Sequence, residues 1–174
     1  MARTSGRPEI AIGLIDGPVA FDHPDLTADN IREVPGKLPA ACIDAGNAAC
    51  THGTFIAGIL LARRASVAPA ICPGCSLLVR TIFAEAPANG EQMPSASAGE
   101  LADAIIDVID AGARVINLSV ALQGPSPGGG NSLQQALDFR SASRGRGRGS
   151  GRQSGRGRGI RYHPPSVGHT GDCL

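Results

Sequence analysis

A chain of 174 residues with a formal net charge of +1 is long enough to bury a core of its own, so folding requires neither disulfide staples nor a structural metal. No apolar run reaches the length of a membrane-spanning helix, and "MARTSGRPEI" lacks the apolar stretch of a secretory signal, so a cytoplasmic chain with no membrane partner is expected. The small net charge conceals two different polymers: residues 1–139 carry 8 basic and 14 acidic side chains, whereas 140–174 carry 8 arginines against Asp172 alone.

Residues 1–8 read as a disordered N-terminus. "EIAIGLID" is a nearly continuous apolar run closed by Asp16-Gly17-Pro18, the pattern of a strand buried on both faces and ended by a turn, which leaves the Asp16 carboxylate at the strand's C-terminal end. "FDHPDL" and "VPGKLPA" are turn-rich and read as loop. In "CTHGTFIAGILLARR", Thr51 is a fair N-cap, and Phe55, Ile56, Ile59 and Leu60 recur at helical spacing. A helix is therefore expected from about His52 to Arg63-Arg64, whose charges would complement the dipole, with Gly53 and Gly58 allowing close backbone approach.

"CSLLVRTIF" is a second strand, followed by the loop "AEAPANGEQMPSASAG". "ELADAIIDVIDAGA" places Leu101, Ala104, Ile105, Val108 and Ile109 on one helical face, with Gly112 as C-cap. "RVINLSVAL" is a third buried strand. Strand, helix, strand, helix, strand predicts right-handed crossovers and an α/β three-layer fold, a parallel sheet flanked by helices, over residues 9–139. Ligands on such sheets sit beyond the carboxyl ends of the strands, where Asp16 lies.

The five cysteines (Cys42, Cys50, Cys72, Cys75, Cys173) leave at least one unpaired, and ordinary reduced thiols are the expected state. Two alternatives stay open: a disulfide, or a zinc site in which Cys72-Pro-Gly-Cys75 is one half and Cys42 with Cys50 the other, although that spacing matches no familiar zinc module.

An aspartate at a strand end and a histidine at a helix start can meet above the sheet edge. A buried carboxylate accepting from one imidazole nitrogen fixes tautomer and orientation, leaving the other nitrogen to take a proton from a serine hydroxyl, and the helix N-terminus disfavours the charged imidazolium. Taken singly, an Asp-Gly after a strand is a turn and a histidine at a helix start is a surface or capping residue. Taken together and in order, "IGLIDGPVAFDHPDL", "THGTFIAGIL" and "RVINLSVAL" resemble the aspartate, histidine and substrate-strand motifs of the subtilisin-like serine proteases. The resemblance covers roughly residues 9–139. It implies Asp16 as the orienting acid, His52 as the general base, and Leu118, Ser119, Val120 and Ala121 as the strand on which an extended substrate backbone pairs. It implies no organic cofactor, and no acidic loop offers a calcium or other metal site.

Two departures stand out. The chain reads Ser119-Val120-Ala121 where many family members have Ser-Leu-Gly, so the nearby specificity pocket should differ in shape. "PAICPGCSLLVRTIF" is similar to the proteases that mature cyanobactin-type ribosomal peptides, which implies a peptide or protein substrate of the ribosomal precursor kind.

The catalytic apparatus stops at two thirds. No serine lies in the "GTS" context of the family's nucleophile, and no "AAGN" segment supplies an oxyanion donor, so a domain truncated after about its first half is expected, inactive as it stands. After Phe139 helical periodicity gives way to "RSASRGRGRGSGRQSGRGRG". One reading of residues 140–174 is an arginine-glycine segment for single-stranded nucleic acid, but Tyr162 is its only aromatic residue, which makes nucleic acid an improbable partner. Another is a solvated, disordered tail on a non-catalytic, peptide-docking body. A frameshift explains more. Read one base later, the genetic code permits A-A-R-R-G-V-V-V-V-A-A-A-G-N-Q-G over 140–155 and A-I-T-R-H-P-W-V-I-P-V-I-A over 161–173, a valine strand with the family's oxyanion loop and the segment that follows it.

Overall fold

The computed structural model describes residues 5–85, 95–120 and 133–138. Four strands, β1 (Ala11–Asp16), β2 (Ile31–Glu33), β3 (Ser76–Thr81) and β4 (Val115–Leu118), form one sheet in the order β2-β3-β1-β4. Every pairing is parallel, with Asp16 opposite Thr81 on one side and Ile15 opposite Leu118 on the other. Helices α1 (Ala48–Leu61) and α2 (Ala98–Asp110) supply the outer layers. The expected three-layer α/β architecture is present.

Side chains alternate across a strand, and in β1 that alternation sorts the core. Ile12 and Leu14 join Val19, Ala57, Leu61, Leu77 and Val79 on the α1 side, while Ala11 and Ile15 join Leu78, Leu101, Ile105 and Val108 on the α2 side. Gly13 also faces α2: a Cβ there would stand 3.0 Å from that of Val108, so the helix packs directly on the strand backbone. Continuing the alternation, Asp16 falls on the α1 side with Leu14. In β3, Arg80 falls on the α2 side, where its Nε donates to Asp107 Oδ2 at 2.9 Å and its Nη1 to the Thr81 carbonyl at 2.7 Å. That pairing lets a charged group lie 7% exposed in the sheet.

The expected α2 is sharply delimited. Gly112, at φ +99°, is the residue after the cap, and Gly112 N donates to Ile109 O while Ala113 N donates to Val108 O, the paired bonds of a Schellman ending. Its start is a capping box: Glu100 N donates to Ser97 Oγ and Ser97 N to Glu100 Oε2.

Other expectations are corrected. Helix α1 begins at Ala48, three residues before Thr51, because the Asn47 side chain accepts from Ala49 N and makes the better cap. It ends at Leu61, before Arg63, whose backbone N–H turns away to Asp25 O; neither arginine lies in the last turn. The segment between the two turn-rich stretches contains β2, a three-residue strand with two exposed residues that offers no apolar pattern to read. β4 is not buried on both faces: among the described residues it pairs with β1 alone, and Val115 and Leu118 are 52% and 44% exposed. Residues 5–8, expected to be disordered, lie along the Cys72–Ser76 turn, with Ser5 O accepting from Gly74 N and Pro8 O from Ser76 Oγ. Residues 140–174 lie outside the described residues. No helix among the described residues is long and apolar enough to cross a membrane.

The box at the start of α2 yields a test. The Ser97 N–H and then its hydroxyl lower the Glu100 pKa, so the folded state holds the proton less tightly than the unfolded chain. The contribution is full above the ordinary glutamate range and drains as pH falls through the folded value. Ser97→Ala should cost about 1 kcal/mol at neutral pH and flatten the acid limb of stability against pH, as read by urea unfolding.

Candidate functional site

The site is built where β1 runs out. Asp16 is the last residue of the strand and is 1% exposed. Its Oδ1 accepts from Gly17 N at 2.7 Å and lies 2.7 Å from Nδ1 of His52, while Oδ2 is buried with no partner. The His52 side chain is 49% exposed. With the carboxylate ionised, the neutral imidazole donates its Nδ1–H inward and leaves Nε2 as an acceptor. The two side chains marked out in the sequence, 36 residues apart, are therefore in contact.

Their distance is set by backbone. A Cβ on Gly17 would fall on the Ala49 carbonyl, and one on Gly53 would stand 2.6 Å from Gly17 O and closer still to Pro18 O. Only glycines at both positions allow α1 to lie this close to the turn after β1. Gly58 has no such role, because a Cβ there meets nothing within 4 Å. Thr54, two residues past His52, fastens the other flank: its Oγ1 accepts from Ala20 N at 2.9 Å. His52 is thus in the second turn of α1, not at its start.

The expected substrate strand lies at the same end of the sheet. Leu118 is opposite Ile15, so Ser119 follows at the level of Asp16. The Ser119 hydroxyl accepts from Asn117 Nδ2 at 3.1 Å. Val120 packs against the core on the α2 side, and Ala121 lies outside the described residues. At Thr81, the register partner of Asp16, a cavity of about 210 Å³ is walled by Pro18, Leu38, Pro39, Ile43, Thr81, Phe83, Ala84 and Glu85. Thr81 is buried with its Oγ1 unpartnered.

Cysteine chemistry departs from the expectation of reduced thiols throughout. Cys42 and Cys50 are joined as a disulfide, their Cα atoms 5.6 Å apart, because the 42–50 loop folds back onto the first turn of α1. Cys72 and Cys75 remain thiols. Burial, and then the neighbouring Cys75, push the Cys72 thiol up to about 11, and it donates to Leu60 O. Cys72 is thus an unactivated thiol at neutral pH. The alternative of one zinc held by all four cysteines fails, since the only ligand-type cluster among the described residues is Cys42, Cys50 and Glu85.

The sequence profile of the subtilase family matches residues 7–150. No curated protein matches the chain significantly. Among solved structures, a serine-to-alanine mutant of the protease domain of PatA is 26% identical, with a TM-score of 0.68 over 82% of this chain and 49% of that one. The prenylagaramide maturation protease PagA is 25% identical, with a TM-score of 0.61 over 80% of this chain and 44% of that one. The PatG macrocyclase domain, at 18% identity and a TM-score of 0.60 over 80% of this chain and 49% of that one, shares the fold. The chain spans about half the length of these structures.

The close approach at Gly53 is testable. Gly53→Ala should cost about 1–3 kcal/mol by overpacking and lengthen the Asp16–His52 bond, seen as loss of the low-field Nδ1–H proton signal. Gly58→Ala should leave that signal intact and raise stability by up to about 1 kcal/mol.

Proposed function

Since the chain belongs to the subtilase family, we propose that it forms the aspartate and histidine portion of a serine endopeptidase site, with Asp16 as orienting acid and His52 as general base. The observation that carries this reading is the 2.7 Å contact between a carboxylate 1% exposed and an imidazole that is half open to solvent. The chemistry follows from that asymmetry. Asp16 holds the Nδ1–H tautomer; Nε2 takes the proton of a serine hydroxyl as it attacks the peptide carbonyl, and returns it to the leaving amine. The acyl-enzyme then yields to water by the same proton path in reverse. Asp16 stays ionised throughout and stabilises the imidazolium between the two transfers.

An extended peptide is the substrate class that fits. Leu118, Ser119, Val120 and Ala121 would offer backbone groups for strand addition beside β1. The cavity walled by Pro18, Leu38, Phe83 and Glu85 suits a mainly apolar side chain. The structures named as maturation proteases for patellamide and prenylagaramide favour a ribosomal precursor peptide over a general protein diet. A cytoplasmic setting belongs to the same reading, in which Cys72 and Cys75 stay thiols and the Cys42–Cys50 disulfide is exposed to reductants.

The nucleophile is not among these elements. In subtilisin, a member of the family, loss of the triad serine lowers kcat by about 10⁶-fold. The purified 174-residue chain should therefore show neither peptide cleavage nor labelling by a serine-directed fluorophosphonate. Cleavage that disappears in His52→Ala would overturn the inactivity. We assign residues 140–174 to a shifted reading frame whose neighbour encodes the oxyanion asparagine. The nucleotides at codons 139–155 decide this: an early stop in the shifted frame, or no asparagine codon overlapping Gln153, would sink it.

A further inference from the structure

Cys42, Cys50 and Glu85 take no part in the proposed proton transfers, yet they are gathered tightly. Their sulfur atoms and a carboxylate oxygen all stand within 4.8 Å of one another. Three features make the cluster a built site. Glu85 is held in place by backbone: Oε1 accepts from Ile43 N at 3.0 Å and from Asp44 N at 3.1 Å, and Oε2 shares the Ile43 N–H at 3.2 Å. Such outer hydrogen bonds orient a ligating carboxylate and leave its remaining lone pairs free. Cys50 is 1% exposed and occupies the first turn of α1, where the helix N-terminus favours an anionic ligand. Thr54 Oγ1 lies 3.8 Å from Cys42 Sγ and 3.9 Å from Cys50 Sγ; because it already accepts from Ala20 N, its proton is free to reach sulfur.

We propose that Cys42, Cys50 and Glu85 form a thiol-gated site for a borderline-soft divalent cation of the zinc class, closed in this structure by the disulfide and opened by reduction. Two electrons from an external dithiol break the Cys42–Cys50 bond; the dithiol leaves as its own disulfide, and its two protons pass to the Cys42 and Cys50 sulfurs. A divalent cation then displaces both protons and binds two thiolates and the Glu85 carboxylate, with water in the fourth position. Two thiolates on one zinc stand about 3.8 Å apart, so the sulfurs need only rotate about their Cα–Cβ bonds to separate. Disulfide and metal are mutually exclusive at this place. Either one ties the first turn of α1 to the strand-like segment at Cys42, which bonds Val19 just past Asp16. A tie therefore persists across redox states.

The test uses cobalt(II) as a coloured stand-in for zinc, on the full chain carrying Cys72→Ser and Cys173→Ser so that no other pair of thiols competes. After reduction and removal of the dithiol, the chain should bind one cobalt with a sulfur-to-metal charge-transfer band. Without reduction it should show none. Adding Glu85→Gln should weaken binding about tenfold or more, and adding Cys42→Ser should abolish the band. Should the background substitutions prevent folding, the same titration on the unsubstituted chain should lose one equivalent with Cys42→Ser. The proposal is overturned by a folded, reduced chain without the band, by a band indifferent to Cys42→Ser, or by a chain that unfolds on reduction and is not refolded by cobalt.

Discussion

Backbone meets backbone where the turn after β1 touches α1, and the arrangement at the sheet edge depends on that contact. Gly17 and Gly53 remove the two Cβ atoms that would hold the elements apart. An aspartate on the α1 side of a buried strand then reaches a histidine in the second turn of the helix at 2.7 Å. A carboxylate buried so deeply would be costly alone. Here it accepts from Gly17 N and the imidazole through one oxygen, and the other remains orphaned. An unsatisfied buried oxygen calls for an explanation, and this one sits on the residue whose charge the proposed chemistry uses.

The rest of the sheet explains why the pair stands at an edge of the hydrophobic structure and not within a finished core. α1 is apolar on nearly every side: Ala49, Ala57 and Leu61 face the sheet, while Phe55 and Ile59 are 64% and 40% exposed. β4 likewise turns Val115 and Leu118 outward. A helix hydrophobic all round is one that a larger protein buries on all sides. The outer edge of β4 is unpaired among the described residues, and such an edge is a template for further pairing. Both features agree with a chain that aligns with about half the length of its structural neighbours.

Elements with strong local signals were legible. β1 and β3 are continuous apolar runs because both their faces are covered, and α2 carries 3.6-residue periodicity with box and Schellman signals at its ends. α1 was misplaced at both ends because its own pattern is nearly uniform, so neither Asn47 nor Leu61 stands out by periodicity. β2 was missed because Ile31–Glu33 is an edge piece with polar residues facing water. Within the site, Asp16 and His52 could be found because motif order constrains them jointly. The Cys42–Cys50 bond, the Glu85 carboxylate and the contact at Gly17 could not. Each depends on where a loop returns in space, which no spacing rule encodes, and Gly53 and Gly58 look alike until the neighbours of a missing Cβ are known.

Redox chemistry and proton chemistry meet on α1. Cys50 and His52 are two residues apart on one helix, and Thr54 fastens that helix to Ala20 while touching both sulfurs. A change at the cysteines therefore cannot be absorbed by a floppy surface loop; it acts on the first turn of the helix that carries the imidazole. The opposite end of the contact is equally rigid, since the Asp16 carbonyl accepts from Ile82 N and its strand is paired on both sides. With one partner fixed in the sheet, the orientation of His52 depends on what holds the start of α1: the close approach at Gly17 and Gly53, the Thr54 bond to Ala20, the Asn47 cap and the Cys42–Cys50 link.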